Sequence, residues 1–380
     1  MRAVAPILGS TLILALCARA AAQTALPAPS GPYPVGTIRV IAVDSSRPDP
    51  VAPAEPRRLV VQVWYPAQRG NSGQAASYVP ELAELAQDLA GAVPEVDLRS
   101  VRTAAWLGAA PLPRRRFPVL IFSHGMNSAR YFYTGLVQDL ASYGFVVAAI
   151  DHPFWALAAA YDGRRRVSLA QSMASRDRLT SDQIDGLMQD GVGEMAEDQA
   201  FVATRLAGLV PRLRRMMEGQ PFGVLGHSMG GMAATEACGR FRVFAACASL
   251  DGLIWGREGF TPAGEPPNPV SKPFLLLTSP QFLATDLSAA ILRYRRAWHE
   301  PQLCLVVGGR HNSASDLPRL RTAASPADQP DSEPAAQAIR RAVAQFFLAE
   351  LAGDARRLAP PDSLIRTLPG SPPGACRLGI

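Results

Sequence analysis

Histidine is scarce in this chain: five in 380 residues, at positions 124, 152, 227, 299 and 311. No His-Glu-x-x-His and no Cys-x-x-Cys occurs, so the common zinc-ligand spacings are missing. Long apolar runs are missing too. The stretch Ile7 to Cys17 is about half of the roughly 20 residues a membrane span needs. No internal repeat or low-complexity array is present. The arginine runs 114–116 and 164–166 and the pair 214–215 have no interleaved aromatics, which argues against nucleic-acid binding and for solvated loop and helix faces. What remains is an ordinary globular composition, 48% hydrophobic and 18% charged, able to bury a sizeable core.

The first residues, "MRAVAPILGSTLILALCARAAAQ", combine an early arginine, a short apolar run and the small series Ala20-Ala21-Ala22. This is the pattern of a secretory signal cleaved after Ala22. Removing residues 1–22 leaves roughly 358, the size of one large α/β domain with insertions. Two of the 38 basic residues and none of the 32 acidic ones lie in the leader, so the mature chain is mildly basic at +4. Any attraction to an anionic lipid or polymer surface would be weak. Four cysteines survive processing, at 238, 247, 304 and 376. Buried thiols are expected for Cys247 and Cys304, which lie in strand-like runs. Export permits oxidation, and a bridge from Cys304 would let Cys376 tether the tail.

After a Pro-rich linker, "TIRVIAVD" and "RRLVVQVWYP" read as two antiparallel strands joined by a turn-rich segment. A short helix is expected around "PELAELAQDLA". From Phe117 onward, short apolar runs alternate with helical segments: "PVLIFS", "FVVAAI", "FGVLG", "RVFAACASLD", "KPFLLLTS" and "QLCLVVGG". That alternation predicts α/β architecture, with a mostly parallel central sheet, helices on both faces and an antiparallel N-terminal edge. Residues 23–357 form the domain, an insertion is expected around 152–193 over the carboxyl edge of the sheet, and residues 358–380 are an irregular tail.

The stretch "GVLGHSMGGMA" places Ser228 between glycines, after a strand and before a helix. Small flanking residues let a strand turn sharply and present the serine oxygen above the sheet, the geometry of a nucleophile elbow. In the order Ser, acid, His of α/β-hydrolases, only His299 and His311 lie late enough to serve as base. His311 follows "QLCLVVGG" across a turn and so reaches the edge where the elbow lies. Asp251 ends "FAACASL", whereas Asp286 lies several residues beyond the next strand, where capping a helix is the alternative role. The backbone amides of Met229, after the serine, and Met126, in "SHGMN", are candidate oxyanion donors. His124 and His227 are expected to brace these loops, and Asp316 to fix the loop after His311. Phe154, Trp155 and Trp255 follow strand ends, where lining an acyl pocket and packing the core are both open.

Taken in order, "GPYPVGTIRV", "VVQVWYPA", "FPVLIFSHGMNSARYFYTGLVQDLASYGFVVAAIDHP", "GHSMGG", "ASLDG" and "GGRHNSASDL" resemble the platelet-activating factor acetylhydrolase family, the secreted type and its bacterial relatives, within the α/β-hydrolase superfamily. The resemblance implies a Ser228–Asp251–His311 triad, oxyanion donors at Met126 and Met229, and cofactor-free, metal-independent hydrolysis. It implies small esters or phospholipids with short or oxidised acyl groups as substrates, a monomer, and peripheral contact with lipid surfaces. Residues 164–193 and the loop "WGREGFTPAGEPPNPVS" have no counterpart in it, so lipid specificity does not follow: small esters, lactones or polyester fragments fit equally, and a peptidase with the same triad or a non-catalytic binding protein on this fold are the alternatives.

Overall fold

The computed structural model describes residues 25–49, 52–69, 73–93, 96–161, 164–166, 180–252, 271–283, 301–324, 332–353, 362–371 and 374–378. The expected leader, Trp255, Asp286 and His299 lie outside them.

The fold is α/β, as the alternation predicts. β5 (Val119–Ser123), β6 (Val146–Asp151), β9 (Phe222–His227), β10 (Phe244–Leu250), β11 (Phe274–Thr278) and β12 (Gln302–Val306) run parallel at its centre, in the spatial order β12-β11-β10-β9-β5-β6. These strands lack a polar face because both faces are covered. Leu120 and Phe122 enter one core with helices α2 (Thr134–Tyr143) and α5 (Ser332–Ala352). Val119 and Ile121 enter the other with α3 (Ser181–Leu209) and α4 (Met229–Arg240). Each fully buried side chain of this kind contributes about 1.5–3 kcal/mol.

At one edge β2 (Pro56–Pro66) pairs antiparallel with both β6 and β1 (Val35–Pro48). Two further strands lie outside them. β4 (Arg102–Leu107) pairs parallel with β1, and β3 (Ala75–Ser77) antiparallel with β4. The expected helix is α1 (Leu82–Ala92).

Three local expectations are corrected. The segment 181–193, assigned to an excursion, is the first half of α3, opened by a reciprocal cap between Thr180 and Gln183. A short antiparallel pair, β7 (Ala159–Tyr161) and β8 (Arg164–Arg166), precedes it. The tail is not wholly irregular: β13 (Ile365–Thr367) joins the sheet antiparallel to β12, with Ile365 and Leu368 buried. Nor are Cys247 and Cys304 free thiols, since bridges join Cys238 to Cys247 and Cys304 to Cys376. The second closes a separation of 72 residues and pins the tail to the central sheet; a loop of that length is worth about 4 kcal/mol in the chain-entropy account.

Candidate active site

The elbow is built by what its glycines omit. Between β9 and α4, Ser228 adopts φ 53 and ψ −124, a conformation rare for a residue with a side chain. A Cβ on Gly226 would lie 2.2 Å from the Gly230 carbonyl oxygen, and one on Gly230 would lie 2.3 Å from that of Ser123. Only glycine at both positions lets the turn close against β5. The Ser228 amide donates to the Leu250 carbonyl at 2.9 Å, and its own carbonyl accepts from Gly231 and Met232, starting α4.

Three loops at the carboxyl edge bring polar groups to this serine. His311 Nε2 lies 3.1 Å from Ser228 Oγ. On the far side of the ring, Nδ1 faces Asp251 Oδ2 at 3.5 Å, an ion-pair separation longer than a formed hydrogen bond. Such contacts tighten when substrate binds. Asp251 is buried and held from behind, accepting from the Ser279 amide at 2.6 Å and the Ser279 hydroxyl at 2.7 Å. Phe282 stacks on the His311 ring at 5.5 Å, and the Gln281 side chain accepts from the His311 amide at 3.2 Å. The imidazole is one-third exposed, so the group is reachable from solvent.

Met126 lies in the loop after β5, and Met229 follows the serine directly. Among the described residues no acceptor takes either backbone N–H, and Met229 opens α4, where the helix dipole adds partial positive charge. Their side chains differ. That of Met126 is exposed, whereas that of Met229 is buried with Trp155, Met188, Val192 and Met195.

The other three described histidines are fixed as neutral rings. His124 Nδ1 donates to the Gly125 carbonyl at 2.8 Å, while its Nε2 accepts from the His152 amide at 3.2 Å. Burial, with His152 beside it, presses its pKa to about 3. His227 Nε2 donates to the His311 carbonyl at 2.6 Å, and its Nδ1 accepts from the Tyr133 hydroxyl at 2.8 Å. Burial and the nearby His311 lower its pKa to about 4. Tyr133 in turn accepts from the Gly125 amide at 3.2 Å. One hydroxyl therefore joins the Met126 loop to the His311 loop.

His152 belongs to an arrangement that the sequence does not announce. Its Nε2 accepts from Ser123 Oγ at 2.8 Å and its Nδ1 donates to Asp198 at 2.8 Å. Gln199 donates to Ser123, and Arg57 and Arg47 both donate to Asp198. Ser123, His152 and Asp198 are all fully buried. Burial opposes the charge on Asp198, yet Arg57 outweighs it and holds the pKa far below the usual carboxylate range. The signal available in the sequence was an acid amid the apolar positions Ala196, Ala200, Val202 and Ala203 of α3.

Asp316 ties its loop to α2, accepting from the Gly135 amide at 3.1 Å and the Tyr78 hydroxyl at 3.1 Å. Trp155 is buried beneath α3 with its Nε1 donating to Glu194 at 2.9 Å, so it packs the core near the site. Among the described residues no group of three His, Cys, Asp or Glu side chains is placed to hold a metal ion, and no helix is long and apolar enough to cross a membrane.

Known proteins resemble this chain in sequence and in fold. Residues 119–371 match the model of the Alpha/beta hydrolase family, and residues 18–176 match that of Platelet-activating factor acetylhydrolase, isoform II. A platelet-activating factor acetylhydrolase of Cavia porcellus is 22% identical over 78% of this chain and 70% of its own length. A probable 1-alkyl-2-acetylglycerophosphocholine esterase of Arthroderma benhamiae is 26% identical over 82% of each. The solved structure of a ferulic acid esterase from Streptomyces cinnamoneus superposes with a TM-score of 0.71, at 29% identity, covering 93% of this chain and 98% of that one.

Proposed function

Since the chain belongs to the alpha/beta hydrolase family, we propose that it acts as a carboxylic ester hydrolase through an acyl-enzyme on Ser228. The carboxylic-ester class is common to the acetylhydrolase and esterase relatives. The observation that carries the mechanism is the line from Ser228 Oγ to His311 Nε2 at 3.1 Å, with Asp251 behind at 3.5 Å.

In the first half-reaction His311 takes the Ser228 proton as Oγ bonds to the ester carbonyl carbon. Asp251 keeps the proton on Nδ1 and stabilises the imidazolium. The carbonyl oxygen becomes an oxyanion facing the Met126 and Met229 amides, a preorganised pair worth about 10²–10³ in rate per donor. Collapse expels the alkoxide, which takes the proton from His311, and leaves the acyl group on Ser228. Water then attacks with the same base and releases the acid.

The substrate class is a small ester with a short acyl group, phospholipid sn-2 esters included. A small aromatic-acid ester is the second reading, favoured by the esterase structure that matches nearly end to end. Hydrolysis rates for p-nitrophenyl esters of increasing chain length, an sn-2-acetyl phospholipid and methyl ferulate separate these. Preference for methyl ferulate over every aliphatic ester would select the second. Labelling by a fluorophosphonate tests the mechanism, and wild type that fails to label, or a Ser228→Ala variant that still does, overturns it. Export with cleavage after Ala22 is part of the reading, checked by N-terminal sequencing of protein recovered outside the cytoplasm.

A further inference from the structure

The loop that carries Met126 leaves the carboxyl end of β5 and closes on a cluster of buried charge that the mechanism above does not use. Arg130, four residues past Met126, opens a single 3₁₀ turn, Arg130–Tyr133, and is fully buried. Its amide donates to Asp151 Oδ1 at 2.7 Å, and its guanidinium pairs with Oδ2 of the same carboxylate. The rest of the guanidinium is gripped by two other segments. Nη2 donates to both oxygens of Glu81, at 2.6 and 2.7 Å, and Nε donates to the side-chain oxygen of Gln62 in β2 at 3.2 Å. Glu81, also buried, takes a second cation, Arg39, at 3.0 Å. Two cations and two carboxylates therefore balance.

Between Met126 and Arg130 the chain is tied to the segment that follows β6. The Asn127 amide donates to the Trp155 carbonyl at 3.0 Å, and the Ser128 carbonyl accepts from the Leu157 amide at 2.7 Å. Asn127, directly after Met126, takes φ 55, and Phe154 on the facing segment takes φ 74. Left-handed backbone at residues with side chains persists only where the surroundings over-determine it. Asp151 supplies that constraint at the base of both segments: it closes β6, leads into the facing segment, and holds Arg130 by backbone and side chain together. Burying such a cluster costs desolvation that apolar packing would avoid. What it adds is direction, because a planar guanidinium gripped on two sides has one orientation.

We propose that Arg130, gripped between Asp151 and Glu81, is a positioning residue that sets the oxyanion loop, given the reading of Met126 as an oxyanion donor stated above. Sealed from solvent, it acts through the loop and not on the ester. Acid should loosen the grip. Burial raises the Asp151 pKa to about 6 against the pull of Arg130, and Glu81 adds to the rise. The other titratable groups around the cluster are Tyr131, which burial keeps protonated, Asp88 beyond it, and the neutral rings of His124 and His152. A protonated Asp151 leaves Arg130 with Glu81, which Arg39 shares.

The test compares Arg130→Lys and Asp151→Asn with wild type, each counted by fluorophosphonate titration so that only folded enzyme enters the rate. Lysine keeps the charge without the fork, and asparagine keeps the acceptor without the charge. Each should lower kcat on p-nitrophenyl acetate by about 10- to 100-fold with KM unchanged, short of a donor lost outright. Binding of an alkyl trifluoromethyl ketone, whose adduct with Ser228 carries an oxyanion, should weaken by the same factor. Below about pH 6, wild-type kcat should fall more steeply than the single protonation of His311 requires, and Asp151→Asn should lose the extra steepness. Amide hydrogen exchange in residues 124–130 should quicken roughly tenfold in both variants. Wild type, needing no substitution, should show the same quickening between pH 7 and 5 once intrinsic rates are divided out. Unchanged kcat, a rise in KM at constant kcat, or loop exchange as slow in the variants as in wild type overturns the proposal. Exchange does not depend on catalysis, so a failed Ser228 assignment, seen as wild type that does not label, would leave the grip on the loop to be decided by exchange alone.

Discussion

Two serine–histidine–aspartate chains lie at the carboxyl edge of the same sheet, and the tighter one is the sealed one. Ser123 to His152 to Asp198 measures 2.8 and 2.8 Å; Ser228 to His311 to Asp251 measures 3.1 and 3.5 Å. The backbones are neighbours, since Ser123 pairs with Gly226 in the β5–β9 register. Connectivity therefore does not make a nucleophile. Ser123 ends an ordinary strand, already accepts from Gln199, and faces no open space. Ser228 sits on a strained elbow beside two unengaged amides, and its histidine is partly exposed. The sealed chain also has its charge settled by Arg57 and Arg47, which fits a post that holds β5, β6 and α3 together.

The comparison breaks most sharply at the serines. Ser228→Ala is expected to lower kcat by on the order of 10⁶ at nearly wild-type stability. Ser123→Ala should retain activity within about tenfold while losing about 1–3 kcal/mol, because His152 and Gln199 each lose a partner. Ester kinetics together with urea unfolding of both variants would show it. If Ser123→Ala were as inactive as Ser228→Ala while fully folded, the division between the chains would fail.

The acids should divide in the same way with smaller effect. Asp251→Asn is expected to cost about 10⁴ in kcat by presenting the wrong tautomer of His311. Asp198→Asn leaves the buried Arg57 without a carboxylate partner on that side and should cost about 3–5 kcal/mol in stability. Its folded fraction, counted by active-site titration, should turn over near the wild-type rate.

Protonation sharpens the contrast further. The pKa values of His124, His152 and His227 are all depressed by burial, to about 3 and about 4 for the first and last. Each contributes stability that is full above the unfolded value of about 6.5 and is lost as pH falls toward the folded one. A fully developed contribution amounts to about 1.4 kcal/mol per pH unit for each ring. Asp151 and Asp316, raised by burial to about 6 and about 7, bind protons in the folded state over the same range and oppose this loss, so the ring is read from a difference: by urea unfolding from pH 7 to 4.5, a His152→Gln variant should lose less stability than wild type. Equal pH slopes for the two would mean that His152 is charged in the folded protein over that range.

Most of the central sheet was legible because its strands are buried on both faces and so appear as unbroken apolar runs. β4 was not: in Arg-Thr-Ala-Ala-Trp-Leu only Ala105 is buried, which leaves no alternation to read. β13 is three residues long, and pairing with β12 and the Cys304–Cys376 bridge, neither of them local, hold it in place. For the site, chain order and strand ends singled out Ser228, Asp251 and His311, because each closes or follows a recognisable strand. The sealed chain left no such trace, since Asp198 lies in mid-helix, 46 residues from His152 and 141 from Arg57. A sequence shows which residues end strands far better than which helix face returns to meet them.

The smallest expected effect falls where the loops of the open chain are tied together. The Tyr133 hydroxyl accepts from the Gly125 amide and donates to His227, whose other nitrogen holds the His311 carbonyl. Gly125 also supplies the carbonyl of the peptide whose N–H belongs to Met126, so its orientation sets that of the proposed oxyanion donor. Tyr133→Phe removes one oxygen, keeps the ring packed against Phe122 at 4.8 Å, and strands a buried N–H and a ring nitrogen. The cost should be about 1–3 kcal/mol in stability. If the hydroxyl positions the loops, kcat should fall less than tenfold with KM unchanged, because the oxyanion exists only in the transition state. A rise in KM at constant kcat would instead show that the hydroxyl shapes the substrate pocket and leaves the donor where it was.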